Sequence, residues 1–143
     1  MIAGELLEQA GRLAEGVRGA LRTAPAAAAS AAVAGSSPLR TAARGEEPGA
    51  LNAGPRVGVM AQPGPEYVAA MWSAWLAGSV AVPLALSHPP AELLYVLKDA
   101  GISVVLATDE FAATLAPLAT ECGAQVLRVE ELKPATVRIK LLL

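Results

Sequence analysis

Four short apolar runs recur at a regular interval from Arg56 onward. They contain Val57, Val80, Val104 and Val126, which lie roughly 23 residues apart. Each run is rich in β-branched residues, and each gap between runs holds apolar residues at the three- and four-residue steps of a helix. A strand, a crossover helix and a parallel strand require this spacing. The pattern therefore predicts an α/β fold, with a parallel sheet of about four strands and covering helices.

Start and stop signals mark the helices between these strands. The predicted helices cover about 65–77, 91–100 and 109–121, and a glycine directly follows each of the first two. Proline is favoured at the start of a helix and glycine just past its end. Pro117 falls inside the third helix. We expect it to kink or shorten that helix, because proline lacks the amide hydrogen that the helix interior uses.

The first of these helices carries large apolar side chains at helical spacing. Val68, Met71, Trp72, Trp75 and Leu76 share one face, and we expect that face to point at the sheet. The two tryptophans could instead form a stacking platform for nucleic-acid bases. Their helical spacing with Val68 and Leu76 favours core packing.

The chain outside the repeat divides into three parts. Apolar residues at three- and four-residue steps predict one amphipathic helix over 1–22. Residues 23–55 lose this periodicity and are rich in Ala, Gly, Ser and Pro, so we interpret them as a low-complexity insertion. We assign 56–132 to the βα repeat and 133–143 to an atypical C-terminal tail.

Composition and charge narrow the classes of partner. The chain is 54% hydrophobic and 17% charged, with a formal net charge of -2 and no dense basic cluster. Nucleic-acid binding draws on such a cluster, so we expect no nucleic-acid partner. No stretch approaches the roughly 18 apolar residues of a membrane span, and we expect an intracellular protein, cytoplasmic or mitochondrial. Cys122 is the only cysteine, which excludes an internal disulfide and suits a small helix residue.

Motifs that carry chemistry are missing from the sequence. No Gly-x-x-x-x-Gly-Lys or Gly-x-Gly-x-x-Gly loop occurs, and the nearest imitation, Gly35–Arg40, lies in the insertion rather than between a strand and a helix. His88 is the only histidine and follows the second strand, at the edge where open α/β sheets bind ligands. No nucleophile accompanies it, so we expect it to cap or line a turn. Asp109 suits a helix cap. We therefore assign no catalytic, cofactor-binding or metal-binding residue.

One stretch carries a family resemblance. Leu76–Leu84 reads LAGSVAVPL and resembles the LxAGxxxVPL motif of the AMP-forming acyl-CoA synthetases, and the turn and helix at Ser87–Leu93 follow it. The wider segment Arg56–Ala107 is similar to the early N-terminal domain of these adenylate-forming enzymes. It resembles most the malonyl-CoA and methylmalonyl-CoA synthetase branch.

The resemblance implies a reaction but places no catalytic residue on this chain. In the family, a carboxylate attacks the α-phosphate of ATP to give an acyl-adenylate and pyrophosphate, and coenzyme A then displaces AMP. The phosphate-binding loop, the Mg²⁺ site and the catalytic lysine lie downstream of the matched segment. ATP, Mg²⁺ and CoA are thus cofactors and partners of the full-length family, and we expect none in this chain.

Two hypotheses from different classes follow. The first is a truncated piece of an acyl-CoA synthetase, inactive alone, arising as a truncated gene model, a splice product or a degenerate copy. It would meet a carboxylic acid, ATP and CoA only when the remainder completes it. The second is a non-catalytic α/β binding or regulatory module, which would pair with a synthetase subunit through an exposed sheet edge.

Overall fold

The computed structural model describes residues 3–24 and 54–129. Most of the predicted insertion and all of the predicted tail lie outside these residues, as does the loop imitation at Gly35–Arg40. The described part alternates helices and strands in the following order: α1 (Ala3–Thr23), β1 (Arg56–Met60), α2 (Pro65–Leu76), β2 (Val80–Pro83), α3 (Pro90–Asp99), β3 (Ile102–Ala107), α4 (Asp109–Cys122) and β4 (Gln125–Arg128).

The four strands form one parallel sheet in the order β2-β1-β3-β4. Each recurring valine lies in a different strand, and Val57 is aligned with Val104 on the neighbouring β3. Every neighbouring pair of strands is parallel. The predicted α/β class, with about four parallel strands and covering helices, is therefore confirmed.

Helices cover both faces of the sheet, which gives three layers. In β3, Val104 and Leu106 pack on the side of α1 and α2, whereas Val105 and Ala107 pack on the side of α3 and α4. All six residues of β3 are buried. Burial on both faces explains why the central strands β1 and β3 are nearly continuous apolar runs and do not alternate with polar residues. Each buried Val or Leu side chain contributes about 1.5–3 kcal/mol to stability.

The predicted inner face of α2 is wrong. Trp75 is 56% exposed and Leu76 45% exposed, and Trp72 is only half-buried. The buried residues of α2 are small: Ala69, Ala70, Ser73 and Ala74. The physical reason is α1, which packs along α2 through its own small residues, so the large side chains of α2 are left outside.

Pro117 does not shorten α4. The helix continues past it to Cys122 and ends at Gly123, whose φ of 73° is left-handed. Pro117 lies on the exposed side of the helix. A proline there removes one amide hydrogen bond but brings no bulk into the core. The helix therefore tolerates it because the packed face, with Leu115 and Ala119, keeps its contacts.

Gly54 lies against the turn that precedes β2. A Cβ atom added to Gly54 would overlap the carbonyl oxygen of Gly78. Gly78 itself has a φ of 73°, which side chains rarely tolerate. The backbone of this turn is thus packed directly on the chain entering β1, and the amide of Val80 donates to the carbonyl of Pro55 at 2.9 Å.

Candidate functional site

The carboxyl ends of the four strands lie at one edge of the sheet, the place where open α/β folds bind ligands. The residues that follow β1 and β2 there are Ala61-Gln62 and Leu84-Ala85. Thr108 and Asp109 follow β3, and Val129 follows β4. The residues at this edge are mostly small or apolar. Polar side chains there form pairs with nearby residues on the loops and at the first turns of the helices.

His88 lies in the turn between β2 and α3. Its backbone amide donates to the carbonyl of Ala85 at 3.3 Å, and its Nε2 atom is 3.7 Å from Oε2 of Glu92 on α3. Its Nδ1 atom is buried and has no hydrogen-bond partner among the described residues. Pro89 takes the N-cap position of α3. His88 therefore lines the turn, as predicted, and the alternative capping role is not seen.

Asp109 begins α4 and contacts the end of β4. Its Oδ1 atom lies 3.4 Å from Nη1 of Arg128, and both side chains are about three-quarters exposed. Thr108 holds the N-cap position, so the predicted cap role of Asp109 is wrong. Thr108 donates from Oγ1 to Glu110 at 3.4 Å. Asp109 instead places a negative charge in the first helical turn, where the helix dipole favours it.

A groove that the sequence did not reveal runs between α1 and β4. It encloses about 420 Å³ and is lined by Gln9, Arg12, Leu13, Gly16, Leu127 and Arg128. Both arginines have carboxylate partners: Glu8 pairs with Arg12, and Asp109 pairs with Arg128. The groove therefore offers an apolar floor with compensated charges at its rim. We refer to these six residues as the α1–β4 groove.

Two features that are typical of a metal site or a phosphate-binding loop are not found in the described residues. Across 3–24 and 54–129, no three His, Cys, Asp or Glu side chains come together as metal ligands. The loop from β1 to α2 reads AQPG and presents no lysine to a phosphate. The Cys122 thiol donates a hydrogen bond of 3.4 Å to the carbonyl of Ala119, three residues earlier in the same helix. No catalytic step is assigned to these residues.

Comparison with known sequence families shows which family this chain belongs to. The sequence family described as AMP-binding enzyme matches residues 47–141. The chain belongs to the AMP-binding enzyme family. Its matched segment includes all four strands of the sheet. The family resemblance predicted from Leu76–Leu84 is thereby confirmed.

Several relatives of this chain are named malonate–CoA ligases. Malonate–CoA ligase of Arabidopsis thaliana is 46% identical over 72 residues, which are 50% of this chain and 12% of that protein. The mitochondrial malonate–CoA ligase ACSF3 of Homo sapiens is 46% identical over 61 residues, which are 43% of this chain and 11% of that protein. The predicted branch is therefore confirmed. The chain spans about one-eighth of the length of the Arabidopsis relative.

A solved structure shows the same fold. Crystalline apo MatB from Rhodopseudomonas palustris superposes with a TM-score of 0.57 and 23% identity, over 87% of this chain and 19% of that chain. The predicted α/β fold with a parallel sheet is confirmed by this likeness. Within residues 3–24 and 54–129 of this chain, no helix combines the length and the apolar character needed to cross a bilayer.

Proposed function

We propose that this chain is the opening βα layer of an acyl-CoA synthetase that acts on malonate or methylmalonate. The whole enzyme would convert the acid, ATP and CoA into an acyl-CoA, AMP and pyrophosphate. The observation that carries the proposal is the 46% identity to Arabidopsis malonate–CoA ligase over 72 residues. The crystal structure of MatB with ATP bound, which has the same likeness to this chain, supports ATP as the co-substrate of the whole enzyme.

The role of this layer is mechanical. Val57, Val59, Val104 and Leu106 are fully buried, so β1 and β3 form a rigid central pair. Reactive groups on neighbouring parts of a synthetase would be held in place by such a pair. The β1–α2 loop carries no lysine, and no three potential metal ligands come together within the described residues. We propose that the chain alone does not activate an acid.

The proposal also covers the organisation and the location of the protein. We assign residues 56–132 to the synthetase domain, 1–22 to a leading helix, 23–55 to an insertion and 133–143 to a tail. We place the protein in the cytoplasm or the mitochondrion. The mitochondrial names of several relatives support the second location.

A chimera tests whether this layer is a synthetase scaffold. Residues 56–129 of this chain replace the corresponding segment of Arabidopsis malonate–CoA ligase, and malonyl-CoA formation is measured. We expect activity within about tenfold of the parent. A tenfold loss corresponds to an increase of only about 1.4 kcal/mol in the activation free energy, and a scaffold that holds the reactive groups in place should keep the increase below that. A folded chimera, with parental circular dichroism and gel-filtration volume but no malonyl-CoA, would contradict the proposal.

A matched chimera controls for packing. It carries Gly58→Val in the exchanged segment. A Cβ atom at Gly58 would already lie 3.4 Å from side-chain atoms of Ile102 and Leu84. The extra methyl groups of valine would overfill this site at a cost of about 1–3 kcal/mol. If activity depends on the scaffold, this chimera should be less stable and less active than the unmodified chimera.

A further inference from the structure

Large apolar side chains are exposed where α2 ends and β2 begins. Six such side chains are exposed among the described residues, and three of them, Trp75, Leu76 and Val80, lie within six positions of the chain. The amide of Gly78 donates to the carbonyl of Trp75 at 2.9 Å, so the turn is tight and β2 starts directly beside the end of α2. We refer to these three exposed residues as the α2–β2 patch.

The sequence around this patch is free of charged side chains. Residues 67–91 contain no Asp, Glu, Lys or Arg, although 17% of the residues in the whole chain are charged. Arg18 on α1 lies at one side of the patch, where it donates to the carbonyl of Leu76 and pairs with Glu15. Large apolar side chains with few charges among them are typical of the core of a packed contact. We therefore expect the patch to be covered.

The outer edge of β2 favours cover by side chains over an added strand. The amides of Val80 and Leu84 donate to the carbonyls of Pro55 and Val59, at 2.9 and 2.8 Å. Because successive residues of a strand bond to opposite neighbours, Pro83 faces outward, and it has no amide hydrogen to donate to a further strand. A contact at this edge would thus depend mainly on the side chains of the patch.

The size of the patch argues against a separate protein held by this surface alone. Full cover of one Trp, one Leu and one Val side chain that are already partly buried removes on the order of 300 Å² from water. A stable complex between two proteins buries roughly 800 Å² on each partner. A second copy of this chain would therefore bind weakly here. A covering segment that is joined to the same polypeptide needs less area, because the covalent connection keeps it close.

The relatives indicate what such a segment would be. The 72 matched residues of Arabidopsis malonate–CoA ligase are 12% of that protein, and MatB is matched over 19% of its chain. In both proteins the matched layer is thus joined to a much longer remainder of the same chain. Helices and sheets with an apolar face are stable when another element packs on that face, and the remainder can supply such elements.

We propose that the α2–β2 patch is the surface on which the remainder of the synthetase packs, with Trp75 as its central anchor. The inference rests on the proposed function, because the occupant is the rest of an acyl-CoA synthetase. Tryptophan is enriched among the residues that carry most of the free energy of a packed contact. The remaining face of the layer, on α3, stays in water under this proposal.

Tyr95 on α3 provides the comparison for Trp75. Its side chain is 67% exposed, so it is at least as accessible as that of Trp75. Its neighbours three and four positions away on the helix include Glu92, Lys98 and Asp99, all of them charged. A surface with so many charges is not suited to the core of a contact, so Tyr95 should remain exposed in the whole enzyme.

Hydroxyl-radical footprinting read by mass spectrometry tests the cover. It compares the full-length chain with the chimera that carries residues 56–129 in Arabidopsis malonate–CoA ligase. We expect oxidation of Trp75 to be at least about fivefold slower in the chimera, because the core of a packed contact is as dense as a protein interior. Tyr95 is the internal control and should be oxidised at similar rates in both proteins. Equal oxidation of Trp75 in the two proteins would overturn the proposal.

Other occupants give different results in the isolated chain. Slow oxidation of Trp75 at every concentration of the full-length chain would show that another part of this chain covers the patch. Slowing that increases with concentration would show that a second copy covers it, and either result would overturn the proposal. Malonyl-CoA formation tests the proposed function separately, because Trp75 can be footprinted in a folded chimera whether or not that chimera is active. A chimera that does not fold would count against both.

A matched pair of substitutions provides a second readout. Trp75→Gln and Tyr95→Gln each remove one exposed aromatic side chain, and both should leave the urea midpoint of the full-length chain nearly unchanged. In the chimera, Trp75→Gln should raise the rate of irreversible thermal unfolding about tenfold, because it removes the anchor of the contact. Tyr95→Gln should leave that rate close to the value of the unmodified chimera. Circular dichroism at a fixed temperature measures both rates, and equal rates for the two variants would contradict the proposal.

Discussion

The guanidinium of Arg18 on α1 donates a hydrogen bond of 2.6 Å to the carbonyl oxygen of Leu76, the last residue of α2. Carbonyl groups at the end of a helix have no partner within the helix. A positive charge there also complements the helix dipole. Arg18 therefore fastens the long N-terminal helix to the end of the first crossover helix, in addition to pairing with Glu15 on its own helix.

Replacing Arg18 tests this attachment. Arg18→Met keeps the aliphatic stem but removes the donor, and we expect a loss of about 1 kcal/mol in the free energy of unfolding. Urea unfolding followed by circular dichroism measures it. Arg12→Met is the matched control, because among the residues that the structure describes Arg12 pairs only with Glu8, on an exposed helical surface. We expect that control to stay within about 0.5 kcal/mol of the parent, and equal losses in both variants would count against the attachment.

Two glycine substitutions should shift stability in opposite directions. Gly54→Ala places a Cβ atom on the carbonyl oxygen of Gly78, and backbone atoms cannot easily give way. We expect a loss of about 1–3 kcal/mol. Gly19→Ala in α1 meets no atom within 4 Å and should gain about 0.5–1 kcal/mol from helix propensity. Thermal unfolding of both variants checks the pair, and a stabilising Gly54→Ala would show that the turn is not packed as described.

The small inner face of α2 makes a further prediction. Ala74 is fully buried between α1 and the sheet, so Ala74→Leu should overfill that space and cost about 1–3 kcal/mol. Trp75→Gln, one residue further along, changes a side chain that is 56% exposed and should cost no more than about 0.5 kcal/mol. Denaturant midpoints of the two variants provide the measurement. A larger loss for Trp75→Gln would restore the face expected from the sequence.

The strands could be predicted from the sequence because the buried central strands β1 and β3 and the partly exposed edge strands β2 and β4 all keep short β-branched runs. Val57, Val80, Val104 and Val126 each stand in a β-branched run, and helices of fitting length separate the runs. The inner face of α2 could not be predicted in this way. A prediction from apolar spacing places the largest apolar side chains of a helix on its buried face. In the structure, α1 and α2 approach each other mainly through alanines, and Trp75 is left outside.

The site was predicted only in part for a related reason. His88 and Asp109 could be placed at the carboxyl edge, because each follows a recognisable strand. The α1–β4 groove depends on contacts between residues such as Gly16 and Leu127, whose separation in sequence leaves no local pattern. An added Cβ atom on Gly16 would lie 3.8 Å from Leu127, so the glycine's role emerges only from the fold.

Exchange of labelled pyrophosphate into ATP tests the central claim, that this chain is a synthetase scaffold without the groups that activate an acid. The full-length chain is incubated with ATP, Mg²⁺ and malonate or methylmalonate, and Arabidopsis malonate–CoA ligase serves as the positive control. We predict exchange no faster than in a sample without protein. Acid-dependent exchange by the purified chain would contradict the account, because it would require a phosphate-binding site and an acid-binding site, and the account proposes neither for this chain.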